Sequence, residues 1–245
     1  MKKVLLFFAI MVIFWSSTVA FADDTTVTLG LKTWYSYWKE STDYLGGGSD
    51  SNSYGSAFLA GPSLNIKFGK PFIGATYLMS VQDYEVSDYL VPGDTMKFER
   101  KDLELTLGYL ITKHFGMFVG YKTIEATERY TFVPSGYDNE NAGTWRLKGP
   151  EIGLLGNIPL SPSAAIYFNM ALLRMEQEFE DPGGSTTSLF DMTGLSGEAG
   201  VAFSFSESLF ANIGVKALAF TGDDDTGDTY THTFYGPTLG LNYIF

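Results

Sequence analysis

The chain has 245 residues, a formal net charge of −12 and no cysteine. The lack of cysteine excludes a disulfide-stapled secreted domain and a thiolate metal site. The negative charge argues against a nucleic-acid partner, because the phosphates would be repelled. Glycine and aromatic residues are abundant, with 27 Gly, 15 Tyr and 20 Phe, which favours short strands over a soluble helical domain.

The first 22 residues have the pattern of a secretory signal peptide. Lys2 and Lys3 precede an uncharged run over 4–15, and an Ala-x-Ala cleavage site ends at Ala22. The run is about a dozen residues long, whereas a membrane-spanning helix needs roughly 20. We therefore predict that residues 1–22 are removed and that residues 23–245 form the mature protein. No later stretch is long and apolar enough for a transmembrane helix.

Ten candidate strands follow, in which apolar side chains tend to occupy every second position. In the first, Val27, Leu29 and Leu31 share one face, because a period of two gives a strand one apolar and one polar side. The ten candidates are 25–38, 54–68, 71–83, 98–111, 115–128, 144–158, 164–177, 189–205, 209–221 and 230–245.

The connections between these candidates alternate strictly between short and long. Four are tight turns, and five are longer and rich in Gly, Asp, Ser and Thr. This alternation is typical of an antiparallel barrel with short turns at one end, long loops at the other and both chain ends on the side of the turns. The short connections are 69–70, 112–114, 159–163 and 206–208; the long ones are 40–53, 84–97, 129–143, 178–188 and 222–229.

The last ten residues carry the most specific pattern. Leu239, Leu241, Tyr243 and Phe245 share one face, and the segment resembles the closing strand of bacterial outer-membrane β-barrels. That resemblance implies that Tyr243 and Phe245 act as an assembly signal for the barrel assembly machinery.

The mature chain resembles the small OmpA-like and OmpX-like outer-membrane barrels in architecture. The resemblance implies an all-β fold: a single transmembrane antiparallel up-and-down barrel of about ten strands, with short periplasmic turns and long extracellular loops. It also implies export to the outer membrane of a Gram-negative bacterium, with lipid and lipopolysaccharide as neighbours and an unknown ligand at the cell surface.

Charged residues recur on the polar faces of these strands at a similar height, about mid-membrane. Because the apolar faces must meet lipid, we expect the charges to point into the lumen and to pair there. Three lysines and three glutamates would then form a neutral plug, with a charged constriction in a narrow porin-like pore or an ion relay as alternatives. Pro150 predicts a bulge that makes the register of Glu151 uncertain. The six residues are Lys32, Glu104, Lys122, Glu151, Glu198 and Lys216.

Basic residues near the upper strand ends lie below acidic loops. They predict a collar that binds lipopolysaccharide phosphates, although ordinary solvated surface charge is the alternative. The collar comprises Lys97, Arg100, Lys101, Arg129, Arg146, Lys148 and Arg174. Trp34, Tyr35, Tyr37 and Trp38 lie at a similar height and predict an aromatic girdle at the membrane interface.

No catalytic, metal or cofactor site is predicted. The omptin proteases are barrels of similar strand number that use paired acids and an Asp–His pair; here Asp83 and Glu85 are the nearest acid pair, and Tyr230 stands where His232 would need its Asp. His114 lies in a periplasmic turn. We therefore predict a structural or surface-interaction barrel, with a narrow channel and an omptin-like hydrolase as alternatives.

Overall fold

The structure is a computed structural model that describes residues 25–87, 92–132 and 137–245, with the backbone alone for 132, 137–141 and 188. The predicted signal peptide lies outside the described residues. The described chain contains no helix, and hence none that is long and apolar enough to cross a membrane. Its strands are β1 (Thr25–Asp43), β2 (Ser49–Phe68), β3 (Pro71–Gln82), β4 (Tyr84–Ser87), β5 (Asp94–Leu110), β6 (Phe115–Phe132), β7 (Tyr137–Ser161), β8 (Ala164–Glu180), β9 (Thr186–Ser204), β10 (Leu209–Asp223) and β11 (Thr229–Ile244).

These segments form one closed antiparallel barrel with ten walls. β3 and β4 are separated by Asp83 alone and both pair with β5. Together they occupy one of the ten strand positions around the barrel, each of which we call a wall. The remaining strands pair with their neighbours in sequence, and β11 returns to pair with β1 from Ile244 to Thr229. The predicted up-and-down barrel of about ten strands, closed by its first and last strands, is confirmed.

The outer surface carries a band of exposed apolar side chains, which we call the apolar band. On β5, Leu103, Leu105, Leu107 and Tyr109 are exposed, and the residues between them face the lumen. The band ends toward the loops at Tyr37, Leu103, Tyr121, Ile152, Leu172, Leu195 and Tyr235, beyond which outward positions become polar or charged. We call that side of the barrel the loop end, and the side with the short connections and both described chain ends the turn end.

The connections predicted to be long loops are largely strand. β1 runs to Asp43 and β2 begins at Ser49, so only five residues connect them where 40–53 was expected. Five residues also connect β8 to β9 and β10 to β11. The prediction failed because the segments predicted as loops are mostly polar on both faces: the hydrophobic alternation stops while the backbone pairing continues.

These three turns share one geometry. In the last, the Asp224 amide donates to the Asp228 carbonyl at 2.9 Å, and Gly227, with φ of 86°, donates to the Asp224 carbonyl at 3.0 Å. The Asp224 carboxylate accepts bonds from the Thr226 and Asp228 amides at 2.9 and 3.0 Å. This acidic segment therefore serves as a turn, and no group of three potential metal ligands occurs in the part of the chain that the structure describes.

The bulge predicted at Pro150 is absent. Pro150 stands opposite Tyr121 of β6, and the register with β8 is the same on both sides of it. Because alternation is unbroken, Glu151 keeps its inward position. The irregularities of β7 lie instead opposite Glu128–Tyr130 and near Pro159.

Candidate functional sites in the lumen

The lumen has a charged layer at the height of the apolar band. The six residues predicted from the sequence all lie on the inner face, each on a different strand, and we call them the lumen charge network. They are Lys32 on β1, Glu104 on β5, Lys122 on β6, Glu151 on β7, Glu198 on β9 and Lys216 on β10.

Four members form a chain of ion pairs across the barrel. Lys122 pairs with Glu104 and lies 3.6 Å from a Glu151 oxygen. Lys216 reaches the same Glu104 at 3.9 Å. β5 and β10 lie five walls apart in a ring of ten, so this contact connects opposite sides of the barrel. The network therefore spans the lumen from one side to the other at its own height.

The other two members form a separate pair with its own hydrogen bonds. Lys32 lies 2.5 Å from Glu198. The other Glu198 oxygen accepts bonds from the Thr238 hydroxyl at 3.0 Å and the Tyr167 hydroxyl at 3.2 Å. A buried carboxylate that keeps several donors loses less on leaving water, so Glu198 is well suited to its buried position.

Each lysine of the network faces the glycine of a Gly-Pro pair on a neighbouring strand. A Cβ on any of these glycines would overlap the carbonyl oxygen of the next strand along, so only glycine fits beside the lysine stem. The Gly-Pro dipeptides thus repeat one local arrangement three times around the barrel. The pairs are Lys32 with Gly61, Lys122 with Gly149 and Lys216 with Gly236, and the carbonyls belong to Tyr77, Arg174 and Tyr35.

Arg100 does not belong to the predicted collar. It is 1% exposed and points into the lumen, where it holds Asp102 by two bonds of 2.7 and 2.8 Å. Its guanidinium lies 4.0 Å from the Phe234 ring centre and 4.9 Å from that of Trp34. Arg100 has the same parity along β5 as Glu104, which places both side chains inside.

The other six collar residues face outward, and each is paired with an acid. Arg146 lies 2.9 Å from Glu125 and 3.4 Å from Glu180, and Arg174 lies 2.9 Å from Asp191. The remaining pairs are Lys97 with Glu85, Lys101 and Arg129 with Glu99, and Lys148 with Glu178. The collar is therefore a mixed belt of both charges.

A cavity of about 490 Å³ lies inside the barrel on the loop side of Arg100. We call it the loop-end cavity. Aromatic side chains dominate its wall, and its mouth reaches the β10–β11 turn. The aromatic residues are Trp38, Tyr54, Phe98, Trp145, Phe190, Tyr230 and Phe234; aliphatic ones include Ile124, Ala126 and Leu147.

The sequence did not predict this cavity. Trp34 and Trp38 were expected in an interfacial girdle, but both are buried inside the barrel, whereas Tyr35 and Tyr37 face outward. The parity of the first strand contained the signal: Trp34 and Trp38 alternate in step with Lys32 and against Leu31.

Two carboxylates line the cavity beyond the apolar band. Glu40 accepts a bond from the Tyr54 hydroxyl at 3.3 Å and lies 3.2 Å from His232 Nδ1. Glu128 accepts a bond from Trp145 Nε1. Burial raises the pKa of both carboxyl groups, and the charge of Glu128 raises the pKa of Glu40 further. Burial lowers the pKa of His232 to about 4, so the imidazole is neutral at pH 7.

Comparison with known proteins identifies the fold. No protein-family model matches the chain, and no curated protein matches its sequence. Among solved structures, the outer membrane protease OmpT of Escherichia coli is 15% identical, with 94% of this chain and 99% of that chain covered and a TM-score of 0.57. The chain has the barrel fold of OmpT. Neisserial surface protein A is 12% identical over 91% of this chain and 99% of that chain, with a TM-score of 0.42.

The hydrolase residues considered from the sequence do not converge. Asp83 and Glu85 line a shallow depression beside Lys97, and Tyr84 occupies the inward position between them. Neither acid lines the cavity that contains His232. The acid pair and this imidazole therefore do not share a site in which they could activate one water molecule.

Proposed function

We propose that the protein is an integral outer-membrane barrel whose lumen is closed by the lumen charge network, and that it serves as a structural or surface-interaction protein. The observation that carries this proposal is the contact between Lys216 and Glu104, which bridges opposite walls at 3.9 Å. The apolar band around the same height supports a lipid environment, since a spanning strand needs about 9–11 residues with an apolar outer face.

The balance of charge favours a plug over a pore. Three lysines and three glutamates pair within the network, so no net charge attracts ions of one sign. Directly above, Trp34 is fully buried and stacks with Arg100. Water and ions would have to pass two consecutive layers of paired or stacked side chains.

Contact with lipopolysaccharide is part of the proposal for the six outward basic residues. Arginine and lysine recognise phosphates well, but each of these side chains already has an acidic partner. Phosphate binding would therefore exchange partners, or bridge through divalent cations. Arg174 is the most exposed, at 74% of its side chain, and offers the best first contact.

Planar-bilayer recording tests closure. The wild-type barrel should show no steady single-channel steps. Steady steps in the wild type would favour the alternative, a narrow channel for ions or small solutes.

A double variant tests whether the contact between Glu104 and Lys216 closes the lumen. Glu104→Ala with Lys216→Ala removes the bridge and leaves the net charge unchanged, so current steps should appear. The outward variant Val215→Ala, next to Lys216 on β10, is the control and should stay silent. A silent double variant would show that this pair does not close the lumen.

A further inference from the structure

We infer that the loop-end cavity binds a small organic cation: a primary ammonium group attached to an aromatic body. The inference concerns the space above the plug and does not depend on whether the lumen conducts. It rests on four features of the cavity, which are its volume, its aromatic wall, its two unneutralised carboxylates and its unpartnered buried polar atoms.

The volume and wall suit an aromatic ligand of modest size. The cavity of about 490 Å³ falls in the range of small-molecule pockets, roughly 300–1,000 Å³. Trp38 stacks on Tyr54 with ring centres 4.1 Å apart, and Phe98 meets the same tryptophan edge-on at 5.0 Å. Electron-rich ring faces attract cations as well as apolar rings.

The charge of the cavity is negative. Neither Glu40 nor Glu128 pairs with a lysine or arginine among the residues that the structure describes, and Glu40 lies 3.2 Å from the imidazole of His232. Arg100 lines the floor, but its charge is already balanced by Asp102. Asp224 and Asp225 add negative charge at the mouth. An anionic ligand would therefore meet repulsion throughout.

The two glutamates approach the cavity from nearly opposite walls. β1, which carries Glu40, and β6, which carries Glu128, lie four walls apart in the ring of ten. A cation between them would relieve their mutual repulsion. The hydrogen bonds from Tyr54 and Trp145 fix one oxygen of each carboxylate, which orients both groups.

Two further polar atoms in the wall lack a partner among the residues that the structure describes. Gln177 is 5% exposed and its Oε1 accepts no bond from them, and Trp38 is 6% exposed and its Nε1 donates none to them. Buried polar atoms without partners are rare, and each lost hydrogen bond is costly. An ammonium group can donate to Gln177 Oε1, and a hydroxyl or carbonyl oxygen on the ligand can accept from Trp38 Nε1. This is the reason to expect a primary ammonium rather than a quaternary one.

Binding is tested with three probes of similar shape on the barrel refolded in phosphatidylcholine vesicles. The probes are phenethylammonium, the neutral 2-phenylethanol and the anionic 3-phenylpropionate. Fluorescence of Trp38 and Trp145, which lie in the cavity wall, reports occupancy. We expect saturable binding of phenethylammonium and at least roughly tenfold weaker binding of the other two, the change expected when a charge-assisted contact is lost.

Variants locate the binding. Glu128→Gln and Glu40→Gln keep an oxygen for Trp145 and Tyr54 but remove the charge, so each should weaken phenethylammonium binding by roughly tenfold or more. Glu125→Gln, on the outer face of the same strand as Glu128, is the matched control and should bind as the wild type does. Ala126→Phe should block binding by filling the cavity.

Three results would overturn the inference. They are the absence of saturable binding by the folded wild type, equal binding of the three probes, and unchanged affinity in the double variant Glu40→Gln/Glu128→Gln. The heat-dependent shift in gel mobility verifies that each variant is folded. If Glu128→Gln does not fold, the probe comparison on the wild type and Ala126→Phe still decide the question.

Discussion

Replacing Lys122 by methionine should lower the free energy of unfolding by about 3–5 kcal/mol, the usual loss when one partner of a buried ion pair is removed. The Lys122 side chain is 3% exposed and touches both Glu104 and Glu151. After the substitution Glu104 keeps Lys216 at 3.9 Å. Glu151, with a side chain 2% exposed, keeps no ion pair among the described residues.

The loss in free energy of unfolding should come more from the uncompensated Glu151 carboxylate than from the missing Lys122 ammonium group. Adding Glu151→Gln to Lys122→Met removes the uncompensated charge, and the double variant should recover to within about 1 kcal/mol of the single Glu151→Gln variant. Lys97→Met is the matched control: Lys97 lies 3.0 Å from Glu85 on the outer surface, and both side chains are about half exposed. Exposed pairs contribute about 0–1 kcal/mol, so this variant should stay close to the wild type.

The measurement is denaturant unfolding of the barrel in lipid vesicles, followed by tryptophan fluorescence and by the mobility of unheated samples on gels. The two readouts separate loss of the barrel from local change around Trp34. If Lys122→Met costs no more than Lys97→Met, the network is hydrated and pairing within it is not required for stability. That result would also remove the main support for a closed lumen.

Other regions of the molecule allow three further predictions. Gly149→Ala should destabilise the barrel in the same assay, because its Cβ would overlap a carbonyl oxygen of β8, whereas Gly46→Ala, which has open space around it, should not. Deleting Phe245 should slow machinery-assisted insertion more than it changes the finished barrel; normal insertion would contradict the assembly role. Phenethylammonium binding should weaken on acidification at a pH where exposed glutamates are still ionised, because the pKa values of Glu40 and Glu128 are raised; affinity that stays constant down to pH 4 would contradict this.

The sequence predicts the barrel well where lipid would constrain it. Within the apolar band, side chains must alternate between an apolar exterior and the lumen, so Leu103, Leu105 and Leu107 reveal both the strand and its orientation. The same parity assigns Glu104 to the lumen. Beyond the band both faces can be polar, and the alternation that marks a strand disappears.

Two residues whose positions the sequence analysis predicted wrongly, Arg100 and Trp38, lie just beyond the loop end of the apolar band. Arg100 has inward parity but follows the outward-facing Lys97 and Glu99 in a charged segment, so its sequence neighbours suggest a surface position. Trp38 lies among outward-facing tyrosines. What the sequence cannot supply is the partner across the lumen: Asp102 and Phe234 make Arg100 an interior residue, and Phe234 comes from the far end of the chain.

The inward-facing glutamates are paired with lysines at one level of the lumen but not at the other. At the height of the apolar band each glutamate has a lysine within 4 Å, as expected where the surroundings are poorly polarisable. One level higher, neither Glu40 nor Glu128 has such a cation among the described residues, and Arg100, which lines the same cavity, is paired with Asp102. A chain that neutralises its buried acids at one height and leaves two facing each other at the next carries an electrostatic cost that folding alone does not require. Because a bound cation would remove this cost, the unneutralised pair is itself an argument for a ligand at the loop end.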